Sequence, residues 1–217
     1  MQETSRRNFL KGTAWMGAMA FAAGCTSTGF KLTGTAGAPM QGFRCAPMSR
    51  VRVGIIGLGN RGRGAVHRIA MLPGVEITAL CDIREEMVAA QVKWLKDEKL
   101  PPAKRTFSGK EESWKGLCDW DGVDVVYSAT PWALHVPIAL YAMRAGMHVL
   151  TEVPAAFTVD ECWELVETSE ATRLNCMQLE NCCYGEMEML MLSLTQSGVL
   201  GDLNYGECGY VHDLRRG

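Results

Sequence analysis

The stretch "GIIGLGNRG", residues 54–62, constrains this chain more than any other. Gly57-Leu58-Gly59-Asn60-Arg61-Gly62 is a G-x-G-x-x-G run. It follows "VRVGIIGL" (51–58), an apolar segment that reads as a strand. It opens a segment, Asn60 to Met71, with apolar residues at helical spacing. Asp82 ends the next apolar segment, "GVEITALCD" (74–82), 20 residues beyond Gly62. Strand, glycine loop, helix, strand and terminal carboxylate in this order predict a dinucleotide-binding βαβ unit. Gly57 permits the tight turn, Gly59 lets the backbone approach a pyrophosphate, and Gly62 lets the helix pack on the strand. The helix N-terminus then faces the phosphate charge. Asp82 would accept hydrogen bonds from the adenine ribose hydroxyls and repel a 2′-phosphate. That favours NAD over NADP, with Arg84 nearby as the argument on the other side. A glycine-rich turn in a flavodoxin-like domain is the competing structural reading.

The rest of the chain keeps the same rhythm. Arg84 to Lys96 reads as a helix and "KRTFSG" as a weak third strand after Pro101-Pro102. "GVDVVYSAT" (122–130) is a fourth strand, and His135 to Ala145 a helix closed by Gly146. "MHVLTE" (147–152) is a fifth strand, Val159 to Thr172 a helix with Asp160 and Glu161 in its first turn, and "LNCMQLEN" (174–181) a sixth strand. Alternation of this kind predicts an α/β fold, a doubly wound parallel Rossmann sheet with right-handed crossovers. Trp94, Trp114, Trp120 and Trp163 read as packing residues, and Met187, Met189 and Met191 as core filler on a helix.

The first 49 residues differ in character. Arg6 and Arg7 precede the apolar run Gly12 to Gly24, too short to span a bilayer, for which about 20 residues are needed. This predicts a twin-arginine signal over 1–25 and export in the folded state, to the periplasm or cell envelope. "AFAAGC" ends the run at Cys25 and suggests a lipobox, with lipidation of Cys25 the one membrane attachment expected; simple cleavage after a small residue is the alternative. Residues 26–49, rich in Gly, Thr, Ser and Ala, read as a linker. A net charge of −2 with interspersed acidic and basic residues gives no footprint for nucleic acid. The nine cysteines form no CxxC pair or Cys/His ladder, so no metal site is expected; Cys81 and Cys176 read as small core hydrophobes.

Beyond the glycine loop, residues 51–217 resemble the glucose–fructose oxidoreductase / inositol dehydrogenase (Gfo/Idh/MocA) family. The resemblance rests on "ATPWALH" (129–135), "AGMHVLTEVP" (145–154) and "SGVLGDL" (197–203). Most members read Glu-Lys-Pro where this chain has Glu152-Val153-Pro154, and that lysine helps move the proton in hydride transfer. Valine handles no proton. The substitution, with "WALH", "ENCCYG" (180–185) and "GYVHDLR" (209–215), resembles a narrower branch, the NAD-dependent glycoside hydrolases of family 109. Their known activity is α-N-acetylgalactosaminidase.

The resemblance implies a Rossmann domain over 50–181, followed over 182–217 by the beginning of an incomplete α+β substrate domain, with a helix at about 184–197 and a strand at about 203–211. The chain is on this reading a fragment, inactive alone. The implied cofactor is NAD, lined besides the glycines by Asn60, Arg61, Asp82, Trp132, Leu134, His135, Glu152, Val153 and Asn181. Tyr210 would touch the sugar, and Tyr184 and His212 are the acid/base candidates. Each has a plainer alternative: Trp132 as packing at the sheet edge, His135 as a helix-cap residue, Tyr184 as a core tyrosine, His212 as a solvated strand end. The implied chemistry is transient oxidation of sugar C3, proton loss from C2, departure of the C1 substituent, water addition and re-reduction, a redox-neutral cycle outside the paired-carboxylate scheme. The implied partners are a carbohydrate with a terminal N-acetylgalactosamine or related sugar, and further copies of the chain in a homo-oligomer. A sugar or polyol oxidoreductase and a non-catalytic nucleotide-binding module are the competing readings.

Overall fold

The strand Val51–Ile56 (β1) sits near the middle of a six-stranded sheet. The computed structural model describes residues 38–209 and Val211, all within one compact unit, Ala36–Gly217. The expected signal segment, Cys25, the first part of the expected linker, Tyr210 and His212 lie outside the described residues. The other strands are Val75–Cys81 (β2), Arg105–Phe107 (β3), Val125–Ser128 (β4), His148–Thr151 (β5) and Cys176–Gln178 (β6). Every pairing is parallel, and the order is β3-β2-β1-β4-β5-β6. This is the doubly wound order in which the winding reverses between β1 and β4, leaving a crevice at the strands' C-terminal ends.

Helices cover both faces: Asn60–Ile69 (α1), Glu85–Asp97 (α2), Ser113–Cys118 (α3), His135–Arg144 (α4) and Val159–Thr172 (α5). A strand buried on both faces reads as a continuous apolar run, and β1 and β2 do. Val53, Ile55, Ile77 and Leu80 pack toward Ala65, Val66, Val88 and Leu95 of α1 and α2. Ile56, Ala79, Cys81, Val126 and Val149 face the other way, against Leu117, Ile138, Ala139 and Met143 of α3 and α4. Ile55, Leu80, Leu117 and Ile138 are fully buried, each contributing about 1.5–3 kcal/mol of transfer free energy.

Local signals set the boundaries. Thr158 accepts from the Glu161 backbone N–H at 3.2 Å, and Glu161 returns a carboxylate to the N–H groups of Thr158 and Phe157 at 3.0 and 2.8 Å. This reciprocal cap starts α5 at Val159, where the acidic first turn predicts it. Arg173, in the left-handed conformation, ends it. Its guanidinium donates to the Ala38 carbonyl at 2.6 Å and stands 4.5 Å from the centre of the Phe43 ring. The end of the expected linker is therefore held on the folded unit.

Three expectations are corrected. Residues 203–209 form no strand: a strand needs a neighbour's backbone groups, and among the described residues none pairs with them. The last helix, Glu186–Gln196 (α6), buries none of its residues, so Met187, Met189 and Met191 are exposed rather than core filler. Trp163 is likewise exposed, whereas Trp114 is buried against Tyr141, edge to face. No described helix is long and apolar enough to cross a membrane.

Candidate nucleotide site

The glycine loop carries β1 into α1 at the crevice between β1 and β4. Gly57 donates its N–H to the Cys81 carbonyl at 2.8 Å, and its φ of +86° belongs to the left-handed region. A Cβ there would stand 2.5 Å from the Ala129 carbonyl oxygen. At Gly62 a Cβ would stand 1.7 Å from the Gly57 carbonyl oxygen, so α1 approaches the loop only because that position lacks a side chain. Gly59 is different: a Cβ there would meet nothing within 4 Å. Its bare backbone borders open space at the helix N-terminus, where a pyrophosphate could come close to unpaired N–H groups.

Asp82, buried at the end of β2, ties this loop down. One carboxylate oxygen accepts from the Leu58 N–H at 2.7 Å and the other from the Arg84 N–H at 2.9 Å. Each oxygen keeps a lone pair, and the carboxylate borders a cavity of about 610 Å³. Gly57, Gly59, Asn60, Arg61 and Asp82 line this cavity from one side, Thr130, Pro131 and Leu134 from another. Ile83, Arg84, Lys110, Glu111 and Trp114 close the end beyond Asp82, and sequence reasoning missed the cavity roles of all but Arg84. The Lys110 region follows weak β3, with no motif to mark it. Among the described residues no group of three or more His, Cys, Asp or Glu side chains is placed to hold a metal ion.

A second cluster borders the loop. The Glu152 carboxylate, buried at the end of β5, accepts from the Tyr127 hydroxyl at 2.6 Å. Its other oxygen is 3.5 Å from the Arg61 guanidinium, and Arg61 also donates to the Asn181 side-chain oxygen at 3.1 Å. Burial, and then the neighbouring Glu152 carboxylate, pushes the Tyr127 phenol well above the ordinary tyrosine range. It stays protonated and remains a donor.

The other expected residues are placed as follows. Leu134 closes the turn Trp132–Leu134 and lines the cavity. Trp132 is largely exposed, meeting Phe157 at 6.1 Å between ring centres, and is not among the cavity residues. His135, at the start of α4, is buried; one ring nitrogen is 2.7 Å from the Pro154 carbonyl oxygen and the other 3.0 Å from that of Thr130. It ties the cavity loop to the Glu-Val-Pro turn instead of facing the cavity. Val153 is half-buried in that turn. Tyr184, in the turn before α6, is 74% exposed and apart from the cavity, so the structure does not bring it together with the glycine loop.

The open face of Gly59, the anchored loop and the Asp82 carboxylate fit a dinucleotide. Comparison with known proteins agrees. Residues 51–179 match the family profile described as an oxidoreductase family with an NAD-binding Rossmann fold. A relative from Solibacter usitatus, named glycosyl hydrolase family 109 protein, is 42% identical over 216 residues, 99% of this chain and 48% of that protein. Glycosyl hydrolase family 109 protein 1 of Bacteroides fragilis is 48% identical over 173 residues, 80% of this chain and 37% of its own length. The chain thus spans less than half the length of these curated relatives. Among solved structures, scyllo-inositol dehydrogenase from Lactobacillus casei with bound NAD(H) and scyllo-inositol superposes with a TM-score of 0.62 at 17% identity, covering 70% of this chain and 43% of that one. With the glycine loop, the cavity and the strand order in hand, the chain belongs to the Gfo/Idh/MocA oxidoreductase family, and its cofactor is NAD.

Proposed function

We propose that this chain is the NAD-binding part of a glycoside hydrolase that removes a terminal N-acetylgalactosamine or related sugar. The observation that carries the reading is the Glu152-Val153-Pro154 turn beside a cavity built for NAD. Where a dehydrogenase of this family would place a lysine, this chain has an aliphatic side chain. The relatives named for glycosyl hydrolase family 109 support the same reading.

When bound, NAD supplies reversible hydride acceptance at the sugar. The chain's own residues do the rest. Gly59 and the α1 N-terminus receive the pyrophosphate, and Asp82 orients the adenosine ribose. Arg61, linked to Glu152 and Asn181, borders the same loop. Proton transfer at the sugar falls to groups outside the glycine loop, with Tyr184 and His212 as candidates and Tyr210 as the sugar contact. Residues 182–217 begin the substrate domain. Residues 1–25 direct export through the twin-arginine route, and Cys25 carries a lipid anchor. A redox-neutral cycle needs no NAD pool, so a protein folded around its cofactor can work outside the cytosol.

Full-length protein incubated with p-nitrophenyl α-N-acetylgalactosaminide tests this. Release of nitrophenol without net NADH supports the glycosidase. Accumulation of NADH from free sugars, with no nitrophenol released, overturns it in favour of a sugar oxidoreductase.

A further inference from the structure

Tyr127 lies on β4, outside every segment by which the dinucleotide site is recognised. Its ring belongs to the buried apolar cluster that includes Val53, Ile55, Leu58 and Val66, so its position is fixed by the core. Its hydroxyl reaches across to the next strand, where Glu152 accepts it at 2.6 Å. The carboxylate is thereby fixed at one oxygen, and its other oxygen faces Arg61 at 3.5 Å. Arg61, the second residue of α1, lines the cavity, yet its side chain is 51% exposed.

An exposed arginine samples many rotamers, and holding it in one costs side-chain entropy. A cation aimed at a pyrophosphate contributes most when that entropy is lost before the ligand arrives. The exposed partner Asn181 fixes little by itself. Glu152 can do so because its own carboxylate is immobilised from behind. Tyr127 is the only one of the four side chains rooted in the apolar core.

We propose that Tyr127 is a positioning residue for the cofactor site, acting through Glu152 to hold Arg61 over the space where the NAD pyrophosphate binds. The role concerns cofactor binding and stands apart from the glycosidase reading.

The test is NAD affinity, measured by calorimetric titration on full-length protein, for Tyr127→Phe, Arg61→Ala and the double variant. Tyr127→Phe is expected to raise the NAD Kd about 5- to 10-fold. In the Arg61→Ala background the same change is expected to alter Kd less than about 2-fold, because the residue through which it acts is gone. Glu152→Gln, which keeps the volume and loses the charge, should show the same dependence on Arg61. Adenosine, which extends to Asp82 and stops short of the pyrophosphate, should bind Tyr127→Phe as it binds wild type. Equal losses in both backgrounds, parallel loss of adenosine binding, or no loss at all would each overturn the proposal. If Tyr127→Phe fails to fold, Tyr127→Met, which keeps an apolar body in the core and loses the hydroxyl, is titrated in its place in both backgrounds, with the same outcomes deciding. A fall in glycosidase activity plays no part in it.

Discussion

Two glycines three chain positions apart, Gly59 and Gly62, differ in surroundings and give opposite predictions for the same substitution. A Cβ at Gly62 would stand 1.7 Å from the Gly57 carbonyl oxygen, and real Cβ atoms do not come closer than 3.0 Å. Gly62→Ala must therefore push α1 away from the loop by at least about 1.3 Å. Overpacking of this kind costs about 1–3 kcal/mol. For a chain of this size, that lowers Tm by about 2–12 °C. Gly59 has a φ of −65°, which alanine adopts freely, and open space beyond it. Gly59→Ala should cost less than about 1 kcal/mol, the difference between glycine and alanine as a helix N-cap. Its methyl group, however, enters the space assigned to the pyrophosphate. NAD affinity should fall 10- to 100-fold, about 1.4–2.8 kcal/mol. Thermal unfolding without nucleotide and calorimetric titration with NAD separate the two effects. Wild-type NAD affinity in Gly59→Ala would refute the assignment of this space to the cofactor. A Tm loss in Gly59→Ala as large as in Gly62→Ala would refute the packing argument.

Two further outcomes follow from the charge and thiol environments. Arg52 hydrogen-bonds Asp124 at 2.6 and 3.0 Å and holds its carboxyl below the usual carboxylate range. With the folded value below the unfolded one, the stabilisation is present above about pH 4 and is lost as pH falls through the folded value. Urea unfolding of Asp124→Asn should show lower stability at pH 7, by about 1 kcal/mol given partial exposure, and a shallower decline below pH 4; an unchanged acid limb would count against the pair. Burial pushes the thiols of Cys81 and Cys118 up to about 12, while Cys45, Cys162, Cys182, Cys183 and Cys208 are exposed. A disulfide reagent at pH 8, followed by peptide mapping, should label the exposed group in the native protein and reach Cys81 and Cys118 only after denaturation.

The glycine spacing made β1, α1 and β2 legible because each position answers a local steric demand. Continuous apolar runs likewise announced a sheet covered on both faces. Other features depend on groups far apart in the chain, and no local pattern reports them. The hydrogen bond from Tyr127 to Glu152 joins neighbouring strands, and in the sequence Tyr127 is one aromatic in "DVVYSAT". The short helix α3 has six residues, too few to display a period. His135 illustrates the converse: its place after "WAL" was readable, but its two carbonyl contacts arise from loops that only the tertiary fold brings together. The methionines of α6 were misjudged because apolar periodicity predicts a covered face without saying what covers it.

The grip of Arg173 on Ala38 fixes one point of the expected linker. Arg173 lies three residues before β6, and in a parallel sheet that is the end opposite the nucleotide crevice. Ala38 is thus held at the rear of the sheet. The mouth of the cavity, lined by residues that follow β1, β2 and β4, lies at the other end of the strands, so this anchor leaves it uncovered.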